Sequence, residues 1–322
     1  MGPGLPLYEA AWGAAGLVFG LGGARILGGE ARHLGGWAGA WLRCAPLVAV
    51  LLAYAGARAH PIVHALVLNL VRSPEDGFAA FAGGGLGEAA TSGGLRIGGG
   101  LVLAVAFLGF VVPRVAGGAL SGAHLLDALV PLAGVAIALG RLGCFAAGCC
   151  FGVPTGVVWS VRHPPGSEAY WNHVAQGLIP EDGGASLAVH PLPLYLGGAA
   201  LVASAASLAA RRFGSRPGTP ALVFAATLSA LRLAVEPLRE THFVGAVPGQ
   251  ALLGSAVLAV CVLALAARAA RGLRAQREAA TPSTASPNGA GPSRPGTPRR
   301  WMRRALSPSS YRGSRPSSRQ SR

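Results

Sequence analysis

The sequence predicts an all-α polytopic membrane protein, with about seven transmembrane helices and a disordered, basic C-terminal tail. Three observations carry that reading. Apolar residues fill 52% of the 322 positions and charged residues only 12%, about half the charged share of ordinary soluble domains. Several stretches near twenty residues long hold few or no charges, which is the length that crosses a hydrocarbon core. The charge is also gathered at one end: from Arg268 onward thirteen arginines meet one glutamate, accounting for +12 of the net +15.

The spans read, in order, as 8–28, 45–69, 94–113, 120–140, 191–210, 219–238 and 247–267. The first has no basic region ahead of it and is long enough to remain as a span, which argues against a cleaved signal peptide. Connecting loops are short except 70–93 and 141–190. The chain therefore divides into a transmembrane domain, 1–267, and a tail, 268–322. Runs such as "TPSTASPNGAGPSRPGTPRR" cannot bury enough apolar surface to offset their ordering entropy, so the tail is expected to be disordered. All 27 basic residues are arginine, a compositional bias that identifies no function. The body is left at +3, so nothing calls for a nucleic-acid partner. Membrane lipids are the partner the tail arginines suit.

Arginines in short loops set the orientation. Arg25, Arg32, Arg114, Arg211, Arg212 and Arg216 lie at the ends of spans 1, 3 and 5, and the tail follows span 7. Those ends and the tail are expected in the cytoplasm. The loop 141–190 is expected outside.

Arg58, Asp127, Arg141, Arg232, Glu236 and Arg239 lie in or beside spans. Ionisable groups at that depth are costly and usually face a polar cavity or a partner, so six of them favour a shared cavity over separate ion pairs. In "LRLAVEPLRE", Arg232, Glu236 and Arg239 are spaced i, i+4, i+7, on one helix face if the helix survives Pro237. Arginine suits a phosphate because its planar fork donates bidentate hydrogen bonds and stays charged. Glu236 would hold an arginine in place. Arg141 opens "GRLGCFAAGCCFG", where Gly140, Gly143, Gly148 and Gly152 permit tight backbone and close approach to a ligand. Cys144, Cys149 and Cys150 follow as C-x4-C-C, which is not an ordinary zinc spacing, and no metal is expected. A disulfide within the trio and simple apolar packing both remain open. "HPLPLY" opens span 5, with His190 a proton acceptor or a polar cap.

Taken together, these stretches resemble the prolipoprotein diacylglyceryl transferase family. "GRLGCFAAGCCFG" is similar to that family's GRxGNFxNGExxG, "HPLPLY" to HPxQLYE, and "LRLAVEPLRE" to RFxVEFFRE. "GAR" at Gly56 to Arg58, "GGLRIGGG" from Gly93, "DALVP" and "GVPTGVVWSVRHPPGS" fall where the family has matching stretches, in consistent order over about residues 8 to 265. The resemblance departs at Gly98, where the family has a histidine. It departs again at Cys144, Ala147 and Cys149, which stand for two asparagines and an acid, and at Pro193 and Leu196, which stand for Gln and Glu.

The resemblance implies transfer of a diacylglyceryl group from phosphatidylglycerol to the lipobox cysteine of a prolipoprotein signal peptide, the first step of bacterial lipoprotein maturation. It implies a multi-pass protein of the bacterial cytoplasmic membrane with its active site toward the outer face, and no cofactor. Arg141, Arg232, Glu236, Arg239 and His190 are then the expected catalytic residues. Arg141, Arg58, Gly143, Gly152 and Tyr195 are the expected substrate-binding residues. The alternatives are a non-catalytic relative that binds lipid or a partner protein, and a thiol-redox or metal protein resting on C-x4-C-C.

Overall fold

The computed structural model describes residues 5–72, 97–240 and 248–280. The fold is all-helical, and strand pairing among the described residues is limited to isolated bridges. In chain order the elements are α1 (Leu5–Glu30), α2 (Gly36–Arg72), α3 (Ile97–Ala106), a π-helical turn (Phe107–Val111) and the short α4 (Val112–Val115). There follow α5 (Gly122–Ala147), α6 (Glu168–Ala175), α7 (Leu192–Arg212), α8 (Thr219–Val235), a 3-10 turn (Glu236–Leu238) and α9 (Pro248–Ala280). Among the described residues six helices are long and apolar enough to cross a membrane, and the shorter apolar stretch Gly100–Val115 stands where the third span is expected.

Boundaries differ from the sequence reading at three places. α2 begins at Gly36, α5 continues past 140 to Ala147, and α9 runs past 267 to Ala280. The last difference puts helix over the first residues of the expected tail: "ARAARGLRAQREAA" is basic, but Ala, Arg, Leu, Gln and Glu are strong helix formers. The remainder of the expected tail, most of the loop 70–93 and the first part of "GGLRIGGG" lie outside the described residues. Two compact units divide at Gly272, the second being Leu273–Arg322.

The main core sits where α1, α2, α5 and the π turn meet, around Leu27, Leu42, Ala45, Leu108, Leu125 and Leu129. Leu51, Phe110 and Leu263 stand exposed on outer faces, as lipid-facing side chains do. α5 is the central strut, packed against α1 on one side and α7 on the other. Small residues let α5 and α7 approach: Ala200, Ala203 and Ser204 are buried against the α5 stretch around Gly134.

Pro131 sits inside α5 and has no N–H, so the carbonyl of Asp127 has no helical donor. Arg211 Nη1 donates to that carbonyl at 3.1 Å. The Asp127 carboxylate meanwhile accepts from the N–H groups of Gly218 (2.5 Å) and Ala221 (2.9 Å), capping the first turn of α8 from another helix. Arg268 of α9 closes the same corner, donating from Nη1 to the Pro217 carbonyl at 2.7 Å. Asp127 is thus a structural cap. It lies fourteen residues before Arg141 on α5, about 21 Å along the axis, so the expectation that it shares one polar cavity with Arg141 is corrected.

Candidate functional site

The site lies where the C-terminal end of α5, the start of α7 and the end of α8 are tied together by main-chain bonds. α5 stops because Gly148 takes a left-handed conformation (φ +65°), returning its N–H to Phe145 and that of Cys149 to Cys144. A side chain there would be strained, and a Cβ would meet Ser167 Cβ at 2.8 Å. The chain then extends. Gly152 N–H donates to His190 O (3.0 Å) and Val153 N–H to Leu238 O (2.9 Å), with Gly152 and Arg239 forming an antiparallel bridge. Pro154 and Val161 both bridge Val189. These bonds bring three sequence-distant motifs, "GRLGCFAAGCCFG", "HPLPLY" and "LRLAVEPLRE", into one cluster.

α8 ends at Val235 and Pro237 falls in the 3-10 turn, so Arg239 leaves the helix with extended backbone (ψ 134°). The single helix face expected for Arg232, Glu236 and Arg239 is therefore corrected, yet the three still converge. Glu236 Oε1 is 3.3 Å from Arg239 Nε and Oε2 is 3.8 Å from Arg232 Nη2. The first contact lacks the alignment of a hydrogen bond. The Arg141 and Arg239 guanidiniums lie within electrostatic reach of Arg232. Arg141 is half-buried, its stem against α7 at Gly197 and its Nε buried with no hydrogen-bond partner. Three guanidiniums and one carboxylate carry a formal +2. A net positive charge carried by guanidiniums is chemically suited to an anion.

The other expected residues fall in different places. Gly152 is buried in the bridge, where a Cβ would meet Leu238 O at 2.5 Å and His190 Cβ at 2.7 Å. His190 Nδ1 is 3.2 Å from Tyr195 Oη, which accepts from Trp159 Nε1 at 2.7 Å. Gly140 and Gly143 keep ordinary helical backbone and face α1, with a Cβ meeting Trp12 at 2.5 Å and Ala11 at 2.6 Å respectively. The room expected to admit a ligand beside Gly143 is taken up by helix packing. Arg58 is exposed on α2, with Cζ 5.6 Å from the centre of the Tyr54 ring.

The loop 141–190 also holds a small polar core that the sequence did not reveal. His163, Asn172, His173 and Ser186 are all buried there. His163 N–H donates to Ser186 Oγ (2.9 Å) and Leu187 N–H to His173 Nδ1 (3.1 Å). Burial holds both imidazoles below the ordinary histidine value, with His173 adding to the effect on His163. Burial raises the Glu168 carboxyl, with Cys150 adding to it. The sequence signal was limited to scattered His, Asn and Ser in the loop.

Cys144, Cys149 and Cys150 are free thiols, so the disulfide reading is not the state seen here. Their sulfurs all lie within 4.8 Å of one another. Hydrogen bonds from Cys144 and Cys149 hold the Cys150 thiol well below its usual value, helped by Arg141 and Arg239, while Cys149 is pushed up by the same shared bonds.

A family model described as prolipoprotein diacylglyceryl transferase matches residues 14–269. No curated protein matches the chain.

Proposed function

The chain belongs to the prolipoprotein diacylglyceryl transferase family, and from that premise we propose that it moves a diacylglyceryl group from phosphatidylglycerol to a lipobox cysteine thiol. The family's activity makes lipid and prolipoprotein its general substrates, and the apolar helices make it a multi-pass membrane protein. The named donor lipid, the lipobox and an outward-facing site belong to the proposal. One observation supports it above the others: Arg232 and Arg239 flank the carboxylate of Glu236, with Arg141 within electrostatic reach of Arg232.

In the reaction, the thiol sulfur bonds to the glycerol carbon, the C–O bond to phosphate breaks, and glycerol phosphate leaves with the electron pair. The thiol proton passes to a base. Negative charge grows on the departing phosphate, and preorganised guanidiniums in a water-poor corner stabilise that change. Glu236 orients two of them. His190, held by Tyr195 one bridge away from Arg239, is the proposed proton acceptor. Gly152 fixes the frame, Gly143 packs α5 against α1, and Arg58 supports lipid binding from outside the cluster.

The test is transfer from phosphatidylglycerol to a lipobox peptide at matched expression. Losing a pair of charge-assisted bonds removes roughly 2–4 kcal/mol, about 30- to 1,000-fold in rate. Arg141→Ala and Arg232→Ala are expected in that range. Arg141→Lys is also expected to be impaired, because it keeps charge but not the fork. Arg141→Ala retaining more than about a third of the wild-type rate overturns the site. Wild type that binds phosphatidylglycerol without transferring it supports the non-catalytic reading instead.

A further inference from the structure

The geometry points to a second site beside the arginines: Cys144, Cys149 and Cys150 form a three-coordinate thiolate site for a soft monovalent cation, with Cu(I) the ion that fits. It stands independently of the proposed transfer reaction.

Distance is the first argument. Metal–sulfur bonds of about 2.3 Å in a plane place the three sulfurs about 4 Å apart. The thiols already lie within 4.8 Å of one another, so side-chain adjustments of under about 1 Å close the triangle. The backbone holds them there. Cys144 is on the last turn of α5, and the left-handed Gly148 folds the next residues back over it, with Cys149 N–H on Cys144 O at 3.1 Å. Cys150 is itself left-handed at φ +55°, the one non-glycine residue with positive φ among the described residues. That conformation is strained for a residue bearing a side chain, and such strain persists where the surroundings enforce it.

Ligand number and charge select the ion. Among the described residues no histidine or carboxylate joins the group, whereas a structural zinc site is four-coordinate. Soft thiolates favour Cu(I), which accepts three. One Cu(I) displaces three thiol protons and leaves a complex of charge −2. Arg141 and Arg239 act electrostatically on Cys150 and offset that charge. Tyr8 of α1 lies within electrostatic reach of all three cysteines.

The experiment uses the purified full-length chain in detergent, reduced and anaerobic, titrated with Cu(I) against a chromogenic chelator. One Cu(I) per chain is expected for wild type and for Cys44→Ser/Cys261→Ser. At least 100-fold weaker binding is expected for Cys144→Ser/Cys149→Ser/Cys150→Ser. Should that variant misfold, alkylation mapping of wild type decides: one equivalent of Cu(I) should protect the three cysteines from iodoacetamide and leave the exposed Cys44 reactive. Equal binding by a folded triple variant, absent protection, or tighter binding of Zn(II) than Cu(I) overturns the assignment.

Discussion

Gly152 and Arg239 pair as an antiparallel bridge, and that pairing carries Arg239 out of α8 and back toward the end of α5. Without it the second arginine of "LRLAVEPLRE" would follow a different path, and the cluster around Glu236 would lose a member.

Gly152→Ala is the direct test of that frame. The new Cβ would press on Leu238 O at 2.5 Å and His190 Cβ at 2.7 Å, both held by main-chain bonds that resist movement. Overpacking of this kind costs about 1–3 kcal/mol. A lower thermal midpoint in detergent and reduced transfer are expected together. Wild-type values for both would mean the bridge has slack that the distances do not show.

Asp127→Ala separates stability from chemistry. It removes the acceptor for the N–H groups of Gly218 and Ala221, at a cost of about 1–3 kcal/mol. The thermal midpoint should fall. Activity per folded molecule, measured well below that midpoint, should stay near wild type, because Arg141 lies about 21 Å away along α5. A folded Asp127→Ala protein without activity would place the residue in the site after all.

Stability should also depend on pH through His163 and His173. Both are held below the ordinary value of 6.5 in the fold, so the unfolded chain binds more protons than the native one as pH drops through 6.5. Their contribution is intact above that value and is lost progressively below it. Melting of wild type at pH 7.5 and 5.5 should show a lower midpoint in acid, and His173→Gln should narrow the difference. An unchanged difference in that variant would assign the pH effect elsewhere.

Orientation can be tested across a single helix. α7 runs from Leu192 to Arg212, and the arginines Arg211, Arg212 and Arg216 predict a cytoplasmic position for its far end. Reporters inserted at residues 184 and 214 should label opposite faces, with 184 outside. Both labelled from one side, or 214 labelled outside, would remove the orientation on which an outward-facing site depends.

The spans were legible because length and apolarity are local properties, but their ends were not. The fourth span was expected to end at 140, yet α5 packs Gly140 and Gly143 against Trp12 and Ala11 and stops only at Gly148. Pro237 did announce the end of α8. The convergence of Arg232, Glu236 and Arg239 was visible in their spacing, although bridge and turn, not one helix face, produce it. Asp127 was misread because the groups it caps, at Gly218 and Ala221, are far away in sequence. The His173 core was hidden for the same reason: its donor is a backbone N–H at Leu187, which no residue pattern announces.

The ties around Gly152 also bear on how such a chain can diverge. They are made by peptide groups, and a peptide group survives substitution of the side chain it carries. Val153, Pro154, Val189 and Leu238 therefore have latitude to drift while the scaffold is inherited intact, and only Gly152 is pinned, by the space it leaves empty. A side chain such as Cys144 or Cys149 can likewise be exchanged one turn away without breaking these ties. A lineage can in this way keep the arginines where they stand while the residues next door change.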